Sequence, residues 1–389
     1  MDGVQVILRF FDTSKSTPLD APDFIKVSAA FVFSAAITVF LFLVTLSEHA
    51  QAQEIHEFYR GVRSLGMGGA YTAVVNDETA VLTNPAGLGK LRDITLTLIN
   101  PELSGSFNDT DILNVGSATK AMGMQSLLDA LNKAPGKHFY GGAQVFPSFV
   151  GPNFGIGVLG KYTVNGEVDP TGTTYHYDYI NDLAPALGYC FRFFGGVVKF
   201  GLATRLVNRT ELLTDVPATS TNLKVAPLSS GGFGTAVDLG LNLTAPVAAL
   251  PTLAIAVRDV GTTTYNLSKG FLAATTTRPH ATAQTIDLGV ALFPIAADHV
   301  RTSITVEVHD ITRFSQDKDA FRRFHAGGEL NFADFLFLRA GMNQSYATGG
   351  IEFSTERIQL QAATYGEEIG TSAQKKQDRR WVAEIAFRF

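Results

Sequence analysis

Period-two alternation recurs from about residue 92 to the last residue, and it constrains the fold of this chain more than any other feature. In "RTSITVEVHD", Ile304, Val306 and Val308 share one face while Thr305, Glu307 and His309 take the other. "TAVDLGLNL" sets Val237, Leu239, Leu241 and Leu243 against Asp238, Gly240 and Asn242. "TIDLGVALF" and "RIQLQAATY" repeat the pattern. Successive side chains of a strand point to opposite faces, so each such segment reads as a strand with one apolar face. About fourteen are predicted, over roughly 92–100, 138–147, 153–163, 173–193, 197–208, 231–243, 252–260, 284–293, 301–310, 321–331, 335–344, 349–354, 357–365 and 379–389. The fourth reads as one long strand or as two broken at Pro185.

The connections alternate in length. Long ones over 101–137, 164–172, 209–230, 261–283, 311–320 and 366–378 are separated by tight ones such as "PSFVGPN" and the Gly195-Gly196 turn, with 345–348 a short exception. Transmembrane β-barrels have short turns at one end and long loops at the other, whereas a soluble sandwich has no reason to sort them. Charged residues are only 17% of the chain, below the usual quarter, so the surface is poor in charge. After Leu46 no apolar run is long enough for a membrane helix. The expected fold is all-β: a transmembrane antiparallel β-barrel of about 14 strands, closed so that no strand edge faces lipid. The alternative is a secreted soluble β-domain. The last strand, "RRWVAEIAFRF", puts Trp381, Ile385, Phe387 and Phe389 on one face. Alternation ending on a C-terminal Phe resembles the signal by which bacterial outer-membrane proteins are recognised for assembly. The resemblance implies a bacterial outer-membrane location, with lipid and the barrel-assembly machinery as partners.

Upstream, Val27 to Leu46 carries no charge, and Ala50-Gln51-Ala52 fits a signal-peptidase site. Residues 1–52 are expected to be a signal peptide, with an over-long start accounting for its acidic first part; an uncleaved anchor is the alternative. Cys190 is the only cysteine, which excludes an intrachain disulfide framework and any multi-cysteine metal site. The slightly negative net charge leaves no nucleic-acid footprint.

Between leader and barrel lies a glycine-rich stretch, "RSLGMGGAYTAVVNDETAVLTNPAGLGKL". No buried strand precedes its glycines, so it lacks the context of a phosphate loop. A barrel of this width needs a channel or a plug in its lumen. Residues 53–91 are expected to form that plug, and 92–389 the barrel.

"GMGGAYTAVVNDETAVLTNPAGL" resembles the N-terminal signature of the FadL-like outer-membrane proteins, a family that includes fatty-acid and aromatic hydrocarbon transporters and the PorV/PorQ group. "LLDALNKAPGKHFYGG", "IAVRDVG" and "FHAGGELNFADFLFLRAGMN" are more similar to the PorV-like branch. The resemblance implies an N-terminal hatch inside a 14-stranded barrel, with Gly66, Gly68, Gly69, Asn84, Pro85 and Ala86 as hatch or gate residues. It implies passive transport of small hydrophobic compounds, or a PorV-like part in protein secretion whose partner is a protein. A polar porin is a third reading.

The polar strand faces place Lys199, Arg205, Asp238, Arg258, Asp287, Glu307, His309, His325, Glu329, Arg339, Gln359, Gln361, Glu384 and Arg388 in the lumen. They form a salt-bridged interior against the plug or a polar path. In "MQSLLDALNK", Met124, Leu127, Leu128 and Leu131 follow helical spacing. That helix covers the barrel mouth or lines a hydrophobic ligand groove. Tyr175, His176, Tyr177 and Tyr179 read as an interface girdle. No histidine spacing matches a metal motif and no catalytic signature stands out, so neither metal, cofactor nor enzyme activity is expected.

Overall fold

A computed structural model describes residues 57–107, 123–271, 275–297, 299–316, 320–370 and 374–389. The expected signal peptide lies outside these residues. The strands are β1 (Thr95–Ile99, resuming as Glu102–Ser106), β2 (His138–Val145, resuming as Ser148–Gly151), β3 (Phe154–Val168), β4 (Thr174–Phe193), β5 (Val198–Pro217), β6 (Ser230–Thr244) and β7 (Thr252–Arg258). They continue as β8 (Thr285–Leu292, resuming as Ile295–Ala297), β9 (Val300–Val308), β10 (Phe324–Phe332), β11 (Leu336–Asn343), β12 (Tyr346–Ser354), β13 (Ile358–Glu368) and β14 (Gln377–Arg388). Each pairs antiparallel with its neighbour in sequence. β14 returns to β1, with Thr97 opposite Arg388 and Glu102 opposite Glu384, so the sheet closes into a 14-stranded barrel. Leu96 and Phe389 exchange backbone hydrogen bonds of 2.8 and 2.9 Å at the seam.

The breaks in β1, β2 and β8 each fall at a proline: Pro101, Pro147 and Pro294. Proline has no N–H for the ladder. The first two breaks lie side by side, where Asn100 Oδ1 accepts the Phe146 N–H at 2.6 Å and the Phe146 ring is fully buried. Pro185 does not break β4, which keeps one register with β5 on both sides of it.

The two faces sort as the alternation requires. Leu187, Tyr189, Phe191, Leu202, Ile304, Val306, Leu360 and Trp381 point outward and are exposed, forming an apolar belt that suits lipid. Their neighbours Arg205, Asp238, Asp287, Glu307 and Arg339 point inward and are buried. No helix among the described residues is long and apolar enough to cross a membrane.

β4 matches its expected span, but β3 and β5 extend further than the alternation suggested, so the expected long connection over 164–172 contracts to residues 169–173. Their extra residues bury an outward-facing apolar patch under helix α2 (Met124–Leu131; α1 is Val62–Gly66). Met124, Leu127, Leu128 and Leu131 are at most 2% exposed and pack on Val164, Val168, Tyr175, Tyr177 and Leu212. A Cβ on Gly166 would meet Leu127 at 2.8 Å. The helix therefore flanks the outside of the β3–β5 extension instead of lying across the mouth. This corrects the girdle reading too: Tyr175 and Tyr177 face outward, but the helix covers them where lipid was expected. His176 faces the other way and meets Asp215 at 2.6 Å.

Candidate functional site

Residues 57–91 occupy the lumen toward the short-turn end, and nearly all are buried. Their apolar side chains, among them Phe58, Met67, Tyr71, Val75, Val81 and Leu88, form one cluster with inward-facing Phe146, Leu159, Ala184, Ala186, Cys190 and Ala254 of the wall.

Asn84, Pro85 and Ala86 form the pivot of this segment. Asn84 is fully buried and caps the short helix Pro85–Lys90, its Oδ1 accepting the Ala86 N–H at 3.1 Å. Pro85 suits the first helical position because no N–H is needed there. The Asn84 amide also donates to Thr72 O at 2.9 Å and to Asn242 Oδ1 of β6 at 3.0 Å. The wall opposite carries no side chain. A Cβ on Gly240 would lie 2.0 Å from Asn84 Oδ1, and one on Gly201 would lie 2.2 Å from Ala86 N.

Gly66, Gly68 and Gly69 end α1 in the same manner. Gly68 and Gly69 have φ of 71° and 85°, the left-handed region that favours glycine. They lie against His325, whose Nδ1 contacts Gly68 O at 2.8 Å. Gly66 packs on the β12 backbone, its own added Cβ 3.3 Å from Gly350 Cα.

Charged contacts tie the segment to the wall. Arg63 makes a bidentate pair with Glu329 at 2.9 and 2.8 Å and reaches Asp77 at 3.0 Å. Arg60 pairs with Glu367 at 2.8 Å, and Glu78 with Arg388 at 2.7 Å. Burial pushes the Glu57 carboxyl up, but His309, Arg258 and Arg60 outweigh it and hold the group well below the usual carboxylate range. Lys90 donates to Ala73 O at 2.6 Å. Burial, then the nearby Lys199 and Arg63 cations, pulls its ammonium down to about 7. The predicted lumen residues, from Lys199 through Arg388, lie on the inward face and meet this segment or one another.

Asp287, Glu307 and His309 come close enough to share a cation. Sequence spacing had not joined them, because they sit on β8, β9 and the residue after β9. Their oxygens are already engaged. Glu307 accepts the Tyr71 and Thr72 N–H groups at 2.7 Å each and the Thr72 hydroxyl, and Asp287 accepts from Arg258. His309 reaches Glu57 at 3.1 Å and Glu307 at 3.0 Å and stacks on His325. The cluster is an ion-paired latch between segment and wall.

Toward the long-loop end, Thr264 and Tyr265 turn inward. Tyr265 packs on Gly232 and Gly234 of β6 and beneath the Arg209 guanidinium, and its hydroxyl bonds Thr282 at 2.7 Å. Between this loop, the N-terminal segment and the wall lies a cavity of about 110 Å³, lined by Phe58, Arg60, Tyr140, Lys161, Asn165 and Tyr365 among others. The alternation marked 261–283 as a long connection, but nothing in it pointed to the inward turn at Tyr265 or to the cavity. The wall glycines did leave a trace, because a mid-strand glycine on the inward face marks a close backbone approach.

The fold is FadL-like. It is similar to the CymD monoaromatic hydrocarbon channel at 11% identity, covering 84% of this chain and 96% of that chain with a TM-score of 0.51. A TodX deltaS2S3 mutant monoaromatic hydrocarbon channel gives 12% identity, 85% and 98% coverage and a TM-score of 0.51. A TodX deltaS2 mutant gives 12%, 85%, 98% and 0.50. No family model and no curated protein sequence matches the chain. At these identities the likeness is one of fold. These neighbours are channels, not enzymes.

Proposed function

We propose that this protein is a passive outer-membrane channel for small hydrophobic compounds, with residues 57–91 as its hatch. The observation that carries the reading is the seating of Asn84-Pro85-Ala86 on Gly201 and Gly240, which fills the lumen at the short-turn end. A barrel filled in this way selects its solute, since an open pore of this width would pass any small polar molecule. The fold neighbours, described as monoaromatic hydrocarbon channels, support the same direction. In this reading the apolar belt faces outer-membrane lipid, and Trp381, Ile385, Phe387 and Phe389 form the strand that the assembly machinery engages.

A PorV-like role with a protein partner is the second reading. It is favoured by the charged residues buried on the inner wall, among them Arg205, Asp238, Glu307 and Arg339. Native mass spectrometry of the protein extracted gently from its own outer membrane separates the two. A retained small hydrophobic molecule supports the channel. A stoichiometric protein partner with no small molecule would overturn it in favour of the second reading.

A further inference from the structure

Tyr265 is a loop residue with the burial of a core residue: it is 2% exposed. Its seat is the inward face of β6, where Gly232 and Gly234 carry no side chain. A Cβ on Gly232 would lie 2.2 Å from Tyr265 O, and one on Gly234 would lie 2.4 Å from Thr264 O and 3.1 Å from Tyr265 Cδ1. The Arg209 guanidinium covers the ring at 5.0 Å and is itself held by Asp182 at 2.8 and 2.7 Å. Arg209 Nη1 also donates to the Thr282 hydroxyl at 3.1 Å, which meets the Tyr265 hydroxyl at 2.7 Å. Arg209 and Thr282 both line the cavity described above, so the Tyr265 ring stands directly behind its lining. The same ring belongs to the apolar cluster that takes in Phe58 and Tyr59 of the N-terminal segment.

The cavity as it stands is too small for a ring solute. About 150 Å³ holds benzene, against about 110 Å³ here. Passage of such a solute therefore needs a part that moves. The wall is a continuous hydrogen-bonded ladder, whereas Tyr265 is carried by a connection, and connections open at lower cost. The approach to Tyr265 is strained: Asp259 and Thr262 have φ of 53° and 70°, and a β-branched residue rarely adopts the left-handed region. The stretch that follows lies along β6, with Leu267 N–H on Phe233 O at 3.0 Å and Phe233 N–H on Ser268 O at 3.1 Å. Further on, the Phe271 N–H donates to Asn208 Oδ1 at 3.1 Å. Leu267 and Phe271 are 64% and 71% exposed, so their side chains add little packing to hold Tyr265 in its seat.

We propose that Tyr265 is the gate of the lumen on the long-loop side. Seated on Gly232 and Gly234, it closes the cavity to ring-sized hydrophobic solutes; withdrawn from that seat, it admits one. The proposal rests on the channel reading and adds a moving part to it, on a connection separate from residues 57–91.

The test is uptake of labelled toluene by cells that carry the full chain in a lipopolysaccharide-bearing outer membrane, with cells lacking the chain as background. Tyr265→Ala should raise uptake at least fivefold. Gly234→Val should do the same from the other side of the contact, because its side chain takes the place of Thr264 and Tyr265. A lock covers the case in which either variant fails to fold. Phe233→Cys with Ser268→Cys puts two thiols on residues joined by a backbone hydrogen bond, and their disulfide pins the loop to β6. The oxidised form should take up toluene at least tenfold more slowly than the same protein reduced. Equal uptake by the oxidised and reduced forms would overturn the gate, and so would unchanged uptake in both opening variants once folded. In either case wild-type uptake above background leaves the channel reading standing. Uptake at background in the wild type and in both opening variants would overturn that reading as well.

Discussion

Gly240 and Asn84 meet where the hatch has least room, and their contact makes a single methyl group informative. In Gly240→Ala the new Cβ would fall 2.0 Å from Asn84 Oδ1, so the Asn84 cap on Ala86 must give way. Losing such a cap costs about 1 kcal/mol and overpacking adds roughly 1–3 kcal/mol. Hydrogen exchange should show faster exchange at the Ala86 and Gly87 amides, with the strand amides unchanged. Lys90 gives a pH signature. Its folded value of about 7 lies below that of a free lysine, about 10.4. Below the folded value both states hold the proton, and the folded chain bears the full cost of the buried charge. Between the two values the unfolded chain binds more protons, so stability rises with pH and then levels off. Lys90→Met should flatten that rise in denaturant midpoints measured at pH 7 and pH 9.5. The tight turns of this segment were legible in the sequence because Asn-Pro-Ala and clustered glycines carry backbone requirements. Its receptor was less so: Gly201 and Gly240 lie far apart in sequence, and only the strand register brings both beneath Asn84.

At the scale of elements, helix α2 holds to the outer wall through four side chains with almost no exposed surface. Leu128→Ala should cost about 2–5 kcal/mol in local stability, because a fully buried leucine leaves a cavity behind. Limited proteolysis should then cut within residues 107–137 while β3 to β5 stay intact. The sequence disclosed the helix through its 3.6-residue period. It did not disclose which surface the helix covers, since an amphipathic pattern says only that one face is buried. The same limit explains Tyr175 and Tyr177. Alternation placed them on the outward face correctly, yet the cover over that face comes from a distant loop. The strand set itself was readable nearly to its ends. Where β3 and β5 ran longer than expected, their added residues such as Val164, Gly166 and Leu212 follow the needs of the helix instead of those of lipid.

For the whole molecule, closure and filling are separate problems with separate solutions. The β14–β1 seam removes the last free edge, which the lipid core requires. Residues 57–91 occupy what fourteen strands enclose, held by the Arg63–Glu329 pair, the Glu57–Arg258–His309 cluster and an apolar core shared with the wall. Barrel class was legible because a two-residue period and sorted loop lengths survive in the sequence. The inward packing of Tyr265 was not, because a two-residue period does not say which loop residue fills the space beside Gly232 and Gly234. Single-channel conductance in planar bilayers tests this filling most directly, comparing the intact chain with a chain lacking residues 66–90. The intact protein should hold its pore nearly closed to small ions, and the deletion should open it to stable conductance steps. An intact protein that already conducts as an open pore, or a folded deletion variant with unchanged conductance, would contradict it.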